Sequence, residues 1–208
     1  NHIVTSDITL TTIISTLSNT GNITNDTQRK NYSNSNANVS IMDAIYFGTI
    51  DCHCHLFEFW PSTDTVFSHF EVVNAGFGGS CFQDAWRLRD TLVYALDPDM
   101  LLIYEGDNDL HDRVPIDDIV TTASALLQEV LLRMPDLEVV VVAPKASPAR
   151  YHLKAEYLEL NAALRLLAMD HGAHWVDFWG VQHRDDGTLR DDLFIADRLH
   201  LNDEGYEV

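Results

Sequence analysis

An aspartate and a histidine lie three positions apart near the end of the sequence, in the stretch Asp197–Asn202. This spacing puts both side chains on the same side of one turn, where the Asp197 carboxylate reaches Nδ1 of His200. Such a contact fixes the tautomer of the ring and leaves Nε2 as a general base. A solvated surface pair of aspartate and histidine is the alternative for the same residues.

Two further loops carry groups suited to binding an anion. Asn74–Ser80 holds three glycines within four residues, which allow positive φ angles and aim backbone amides at a ligand. A tight strand–helix turn explains the same glycines, and the G-x-G-x-x-G dinucleotide fingerprint is absent. In Glu105–Leu110, Asn108 stands between two aspartates. Its amide donates to an oxyanion or caps the next turn, and calcium binding is a third option without EF-hand spacing.

The elements that must position these loops alternate along the sequence. Residues 116–134 repeat apolar side chains in steps of three and four between Pro115 and Pro135, and a second helix is predicted over 149–170. Strand and helix alternation predicts an α/β domain with a parallel sheet, whose ligands bind beyond the carboxyl ends of the strands. The predicted strands are Ala44–Phe47, Glu71–Val73, Met100–Tyr104, Glu138–Ala143 and His174–Phe178.

Composition divides the 208 residues in two. Residues 1–40 are rich in Asn, Ser and Thr and lack Pro, Phe and Trp, so we predict a disordered leader before a domain over 41–208. In a secreted protein, the N-x-[ST] sequons of the leader would be glycan acceptors; they begin at Asn22, Asn25, Asn31 and Asn38.

The net charge of −19 lies entirely on residues 43–208. Such a surface repels nucleic acid and anionic lipid, and otherwise aids solubility. No apolar run approaches the roughly 18 residues that a membrane span needs. Three cysteines, at positions 52, 54 and 81, imply no closed disulfide framework.

Taken in their order along the chain, the three loops resemble the blocks of the SGNH/GDSL hydrolase superfamily, over roughly residues 43–208. Asn74–Ser80 looks like its second block, Gly106–Leu110 its third and Asp197–His200 its last, while Lys145–Arg150 resembles a segment of one branch. The resemblance implies a flavodoxin-like, three-layer α/β/α sandwich with a five-stranded parallel sheet. It also implies that the domain is truncated before a closing helix. It assigns His200 as base, Asp197 as its acid partner, and Gly79 and Asn108 as oxyanion donors.

The first block departs from the family, in which the branch most like this sequence has its nucleophilic serine five residues before a tryptophan. Counting back from Trp60 gives His55, and residues 41–61 contain no serine. A shift of one residue offers Cys54, whose thiol a neighbouring imidazole converts to thiolate. Anchoring on Phe47-Gly48 offers Thr49 instead. The third reading is that no nucleophile exists.

The same stretch also resembles the His-x-His metal motif of amidohydrolases. Alternate residues of a strand point the same way, so His53 and His55 could bind one divalent metal. Those enzymes need a (β/α)₈ barrel of about 250 residues, which the rest of this sequence does not match.

Three functions follow as hypotheses. The first is an esterase that cleaves small acyl esters or O-acetylated sugars without a cofactor or metal, with Cys54 as the candidate nucleophile. The second is a catalytically degenerate SGNH-like domain that binds ligands or serves as a structural subunit. The third is a metal-dependent hydrolase built on His53 and His55. The missing serine favours the second, whereas the retained Asp, His, Gly and Asn favour the first.

Overall fold

The strands of the computed structural model, which describes residues 42–48 and 70–206, form one parallel sheet in the order β2-β1-β3-β4-β5. The register pairs Tyr46 with Asn74 and Gly48 with Tyr104, so the carboxyl ends of β2, β1 and β3 open at the same edge. The strands are β1 Met42–Gly48, β2 Phe70–Asn74, β3 Met100–Tyr104, β4 Glu138–Val142 and β5 His174–Val176.

Three of the α-helices pack on one another, because the helix Ile116–Arg133 contacts both Phe82–Arg89 and Lys154–Asp170. A π-helical turn at Asp90–Tyr94 extends α1, and short 3₁₀ helices occupy Pro148–Leu153, Gly180–Gln182 and Asp191–Leu193. The α-helices are α1 Phe82–Arg89, α2 Asp107–His111, α3 Ile116–Arg133, α4 Lys154–Asp170 and α5 Asp203–Tyr206.

The core lies between the sheet and these helices. Leu101 and Ile103 of β3 and Val139 and Val141 of β4 share one buried cluster with the inward faces of α3 and α4. The alternate residues of the same strands are buried as well, among them Leu102. Burial of both faces explains why these strands read as continuous apolar runs, as parallel strands do.

The predicted strands and the helix over 116–134 are confirmed with small shifts at their ends. The single helix predicted over 149–170 is wrong at its start, because the 3₁₀ helix Pro148–Leu153 precedes α4. The α/β class is therefore confirmed. The leader predicted over 1–40 lies outside the described residues, as do Thr49, Cys54 and the two histidines of the metal motif.

Candidate active site

The glycine-rich loop after β2 forms a tight turn before α1. The amide of Ser80 donates to the carbonyl of Phe77 over 3.3 Å, and Gly79 between them has a φ of +81°. A Cβ added at Gly79 would meet nothing within 4 Å, so the left-handed backbone alone accounts for the glycine. The loop thus turns sharply where an oxyanion donor was predicted.

Ser80 joins this loop to the residue that follows β3. Its hydroxyl donates to Oε1 of Glu105 over 2.8 Å, and each of the two residues is only 1% exposed. Burial raises the pKa of Glu105 from 4.5 to about 8, although the Ser80 hydrogen bond opposes the rise. The Oε2 atom of Glu105 has no hydrogen-bond partner in the described part of the chain. A protonated, uncharged Glu105 therefore fits this environment at neutral pH.

The loop after β3 enters the short helix α2 through Gly106, whose φ is +112°. A Cβ at this position would lie 2.9 Å from a side-chain carbon of Leu160, so both the backbone and the packing require glycine. The next turn presents Asn108, whose Nδ2 donates to the carbonyl of Ser80 over 3.0 Å. The predicted oxyanion residue is thereby held against the glycine-rich loop.

The two aspartates beside Asn108 have different partners. Both carboxylate oxygens of Asp109 lie 3.3 Å from the amide of Phe82, the first residue of α1. Burial raises the pKa of Asp109 to about 6, against the hydrogen bond from Phe82. Asp109 thus caps α1, a helix distant in sequence, whereas Asn108, for which capping of the next turn was the alternative, contacts a loop carbonyl and a guanidinium.

Asp107 lies at the centre of a buried charge cluster. Its carboxylate contacts Nζ of Lys145 at 2.9 Å and a guanidinium nitrogen of Arg150 at 2.8 Å, and it accepts a hydrogen bond from the Tyr157 hydroxyl. Burial alone would raise the pKa of Asp107, but the two cations hold it well below its ordinary range. Arg150 also donates to Oδ1 of Asn108 over 3.1 Å.

Asp197 and His200 meet as their spacing predicts. Asp197 Oδ2 contacts Nδ1 of His200, while Oδ1 accepts the backbone amides of Leu199 and His200 over 2.9 and 3.0 Å. Arg198 adopts a φ of +62° within this turn, and its carbonyl accepts the amide of Ala149 over 3.0 Å. Burial lowers the pKa of His200, which favours the neutral ring that a general base needs.

The described residues thus pair Asp197 with His200, and Asn108 with the loop that carries Gly79. That Asn108 and His200 face one cleft stays a prediction, and Cys54 lies outside the described residues. Sequence reasoning missed Glu105 and the ionic role of Lys145 and Arg150. The only signal for the two cations was the family resemblance of Lys145–Arg150, because nothing local marks them as partners of Asp107.

Neither a metal cluster nor a membrane helix is found in the described part of the chain. Residues 42–48 and 70–206 hold no group of three or more His, Cys, Asp or Glu side chains that could bind a metal ion. In the same ranges, no helix is long and apolar enough to cross a membrane. Cys81, the residue immediately before α1, is a free thiol.

The family model of the GDSL-like Lipase/Acylhydrolase family matches residues 59–208. The match contains all three loops described above and begins after Thr49 and Cys54. No curated protein matches the chain.

Solved structures of low sequence identity share the fold. A lipase/acylhydrolase from Enterococcus faecalis matches with a TM-score of 0.67 and 18% identity, over 80% of this chain and 90% of that chain. An acetylxylan esterase from Geobacillus stearothermophilus gives 0.67 and 17%, over 81% and 91%. The acetyl xylan esterase AlAXEase gives 0.65 and 20%, over 79% and 94%. The family match extends over more than half of the sequence, and the chain belongs to the GDSL-like lipase/acylhydrolase family.

Proposed function

We propose that this protein hydrolyses carboxylic esters, with acyl or acetyl groups as the acid part, through a covalent acyl-enzyme. The observation that carries the proposal is the contact between the Asp197 carboxylate and Nδ1 of His200. A carboxylate at Nδ1 keeps the proton on that nitrogen and directs the basic Nε2 towards the nucleophile. The lowered pKa of His200 favours the neutral ring at neutral pH, and the neutral ring is the form that can accept a proton.

In the proposed reaction, Nε2 of His200 takes the proton of the nucleophile as it attacks the ester carbonyl. The negative charge that forms on the carbonyl oxygen is stabilised by the backbone N–H of Gly79 and by Nδ2 of Asn108. His200 then gives the proton to the departing alcohol, and the acyl group stays on the enzyme. A water molecule, activated by the same imidazole, releases the acid and restores the nucleophile.

For the nucleophile we propose Cys54, one residue from the position that the family register assigns to serine. A thiol beside an imidazole ionises readily, and the thiolate attacks esters. Thr49 is the competing candidate, and the end of β1 at Gly48 supports it, because Thr49 is the next residue of the chain. Cys54 follows the same strand end by six positions.

The names of the structural neighbours suggest the substrate class. Two of them are acetylxylan esterases and a third is a lipase/acylhydrolase. Two catalytic mutants of the Geobacillus esterase replace a serine and a histidine by alanine; the histidine has its counterpart in type in His200, whereas the nucleophile proposed here is a cysteine. We propose a small acyl ester or an acetylated carbohydrate as substrate. The acidic surface disfavours nucleic acid as a partner.

Turnover of p-nitrophenyl acetate by the full chain tests the proposal. We expect His200→Ala to reduce kcat at least a thousandfold, since loss of the base disables both half-reactions. Arg165→Ala on the outer part of α4 serves as a matched surface control and should leave kcat unchanged. Parent activity that survives His200→Ala undiminished would contradict the proposed roles.

The nucleophile is tested by three substitutions in the same assay. If Cys54 attacks the ester, Cys54→Ala and thiol alkylation abolish turnover, and Cys54→Ser preserves it. Loss of turnover in Thr49→Ala, with Cys54→Ala still active, assigns the reaction to Thr49. Inhibition by a chelator would instead point to a metal held by His53 and His55.

A catalytically degenerate domain is the second candidate function. The observation that favours it is the absence of any serine from residues 41–61, where the family carries its nucleophile. On this reading His55 occupies the nucleophile position and blocks attack. The parent is then inactive, and His55→Ser creates esterase activity that His200→Ala removes again.

A further inference from the structure

Two cations converge on Asp107 from one segment, the chain between β4 and α4. Lys145 and Arg150 both form ion pairs with its carboxylate, whose side chain is only 2% exposed. Paired in this way, a buried carboxylate remains ionised and anchors its partners firmly, because removing either one leaves charge uncompensated. Asp107 is therefore a fixed anchor for Arg150.

The two cations differ in what else they reach. Lys145 donates to the Tyr104 hydroxyl over 3.3 Å besides its contact with Asp107. The guanidinium of Arg150 has a fork geometry: one nitrogen donates to the carbonyl of Asp107 over 2.9 Å, and the other to Oδ1 of Asn108 over 3.1 Å. Arg150 thus links the anchor to the predicted oxyanion donor, whereas the contacts of Lys145 are with Asp107 and Tyr104.

The contact determines how the Asn108 amide is oriented. Its Oδ1 accepts from Arg150 and its Nδ2 donates to the carbonyl of Ser80 over 3.0 Å. Turning the amide by 180° would place NH₂ against a guanidinium and an oxygen against a carbonyl, so both contacts would become repulsive. With both ends held, the direction of the N–H bonds is fixed before substrate binds, which is what an oxyanion donor requires.

We propose that Arg150 is a positioning residue for ester hydrolysis, which orients the side-chain amide of Asn108 towards the oxyanion and is itself held by Asp107. The inference rests on the proposed function, because it presumes that Asn108 stabilises the oxyanion. The 3₁₀ helix Pro148–Leu153 that carries Arg150 also donates the amide of Ala149 to the carbonyl of Arg198, between Asp197 and His200. One short segment thus contacts both the oxyanion residue and the loop of the base.

Kinetics separate positioning from general stability by comparing Arg150→Met with the matched control Lys145→Met. Each variant removes one ion pair of Asp107, but only the first removes the contact with Asn108. We expect Arg150→Met to lower kcat about tenfold to a hundredfold with KM unchanged, since loss of a whole oxyanion donor costs about 10²–10³ in kcat. Lys145→Met should lower kcat less than about threefold while lowering Tm comparably. Equal losses of kcat would overturn the proposal.

A double-mutant cycle tests whether Arg150 acts through Asn108. In the Asn108→Ala background, Arg150→Met should leave kcat unchanged, because no amide remains to be oriented. Arg150→Lys restores the charge beside Asp107 and should recover Tm but not kcat, because an ammonium lacks the fork that spans both partners. Additive losses in the double variant, or full recovery of kcat by lysine, would refute positioning.

A readout without turnover distinguishes failure of this inference from failure of the proposed function. In ¹⁵N NMR spectra of the full chain, the side-chain NH₂ signals of Asn108 are assigned by their loss in Asn108→Ala. Arg150→Met should shift and broaden them, and Lys145→Met should leave them nearly in place. If the parent proves inactive but this pattern holds, Arg150 orients Asn108 and the proposed ester hydrolysis is wrong. If both variants or neither shift the signals, the positioning role is wrong whatever the activity.

Discussion

The buried Glu105 carboxyl should make the protein less stable as the pH rises. Its pKa is raised from 4.5 to about 8 in the folded protein, so the folded state binds the proton more tightly than the unfolded chain does. This contribution to stability is complete below pH 4.5 and is lost as the pH rises to about 8. One pKa unit corresponds to about 1.4 kcal/mol, so between pH 5 and 8 this group lowers the free energy of unfolding by about 3 to 4 kcal/mol.

Urea unfolding of the parent and of Glu105→Gln, at both pH values, measures this loss. Glutamine keeps an oxygen for the Ser80 hydroxyl but has no proton to release, so its stability should depend less on pH by about 3 kcal/mol. A residual slope of the same sign is expected from Asp109, whose pKa is also raised. If the parent and the variant lose the same stability to within about 0.5 kcal/mol, Glu105 ionises normally and the reasoning from burial is refuted.

Three further predictions concern stability and pH. Gly106→Ala should lower the free energy of urea unfolding by more than about 2 kcal/mol, because φ is +112° and the new Cβ would clash. The control Gly187→Ala, at φ +79° with open space around the new Cβ, should lower it by about 1 kcal/mol. Equal losses of stability in the two variants would contradict the packing explanation. Tyr157→Phe should lower the free energy of unfolding by about 1.5 to 3 kcal/mol, because it removes a hydrogen bond to the ionised Asp107. Unchanged stability of this variant would contradict the prediction. In the esterase assay, kcat/KM should rise with pH through a midpoint below the ordinary histidine value of about 6.5, since burial lowers the pKa of His200; a midpoint above 7 would contradict this effect of burial.

The sequence alone was sufficient to predict those elements whose structure is determined by residues within the element itself. The apolar residues at steps of three and four and the flanking prolines predict the helix over 116–134, and the structure has it at Ile116–Arg133. The contact between Asp197 and His200 was predictable in the same way, because a spacing of three residues places both side chains within one turn. Such features depend on neighbours in sequence, so sequence patterns reveal them.

The helix predicted from residue 149 shows where local pattern fails. Pro148–Leu153 is a 3₁₀ helix before α4, and its Ala149 amide donates to the carbonyl of Arg198. That partner lies about fifty positions later, so no pattern within residues 149–170 could indicate it. In residues 148–153 the backbone conformation thus follows a tertiary hydrogen bond rather than the helical periodicity of the sequence.

The roles of Asp107, Asn108 and Asp109 were left open by the sequence, which offered capping, oxyanion binding and calcium binding for one loop. The fold separates them by bringing distant partners to each: Lys145 and Arg150 to the first, Ser80 to the second and the start of α1 to the third. Spacing along the chain determines which side chains share a turn. Whether a buried carboxylate ionises or caps a helix depends on charges and amides that only the folded chain brings within hydrogen-bond distance.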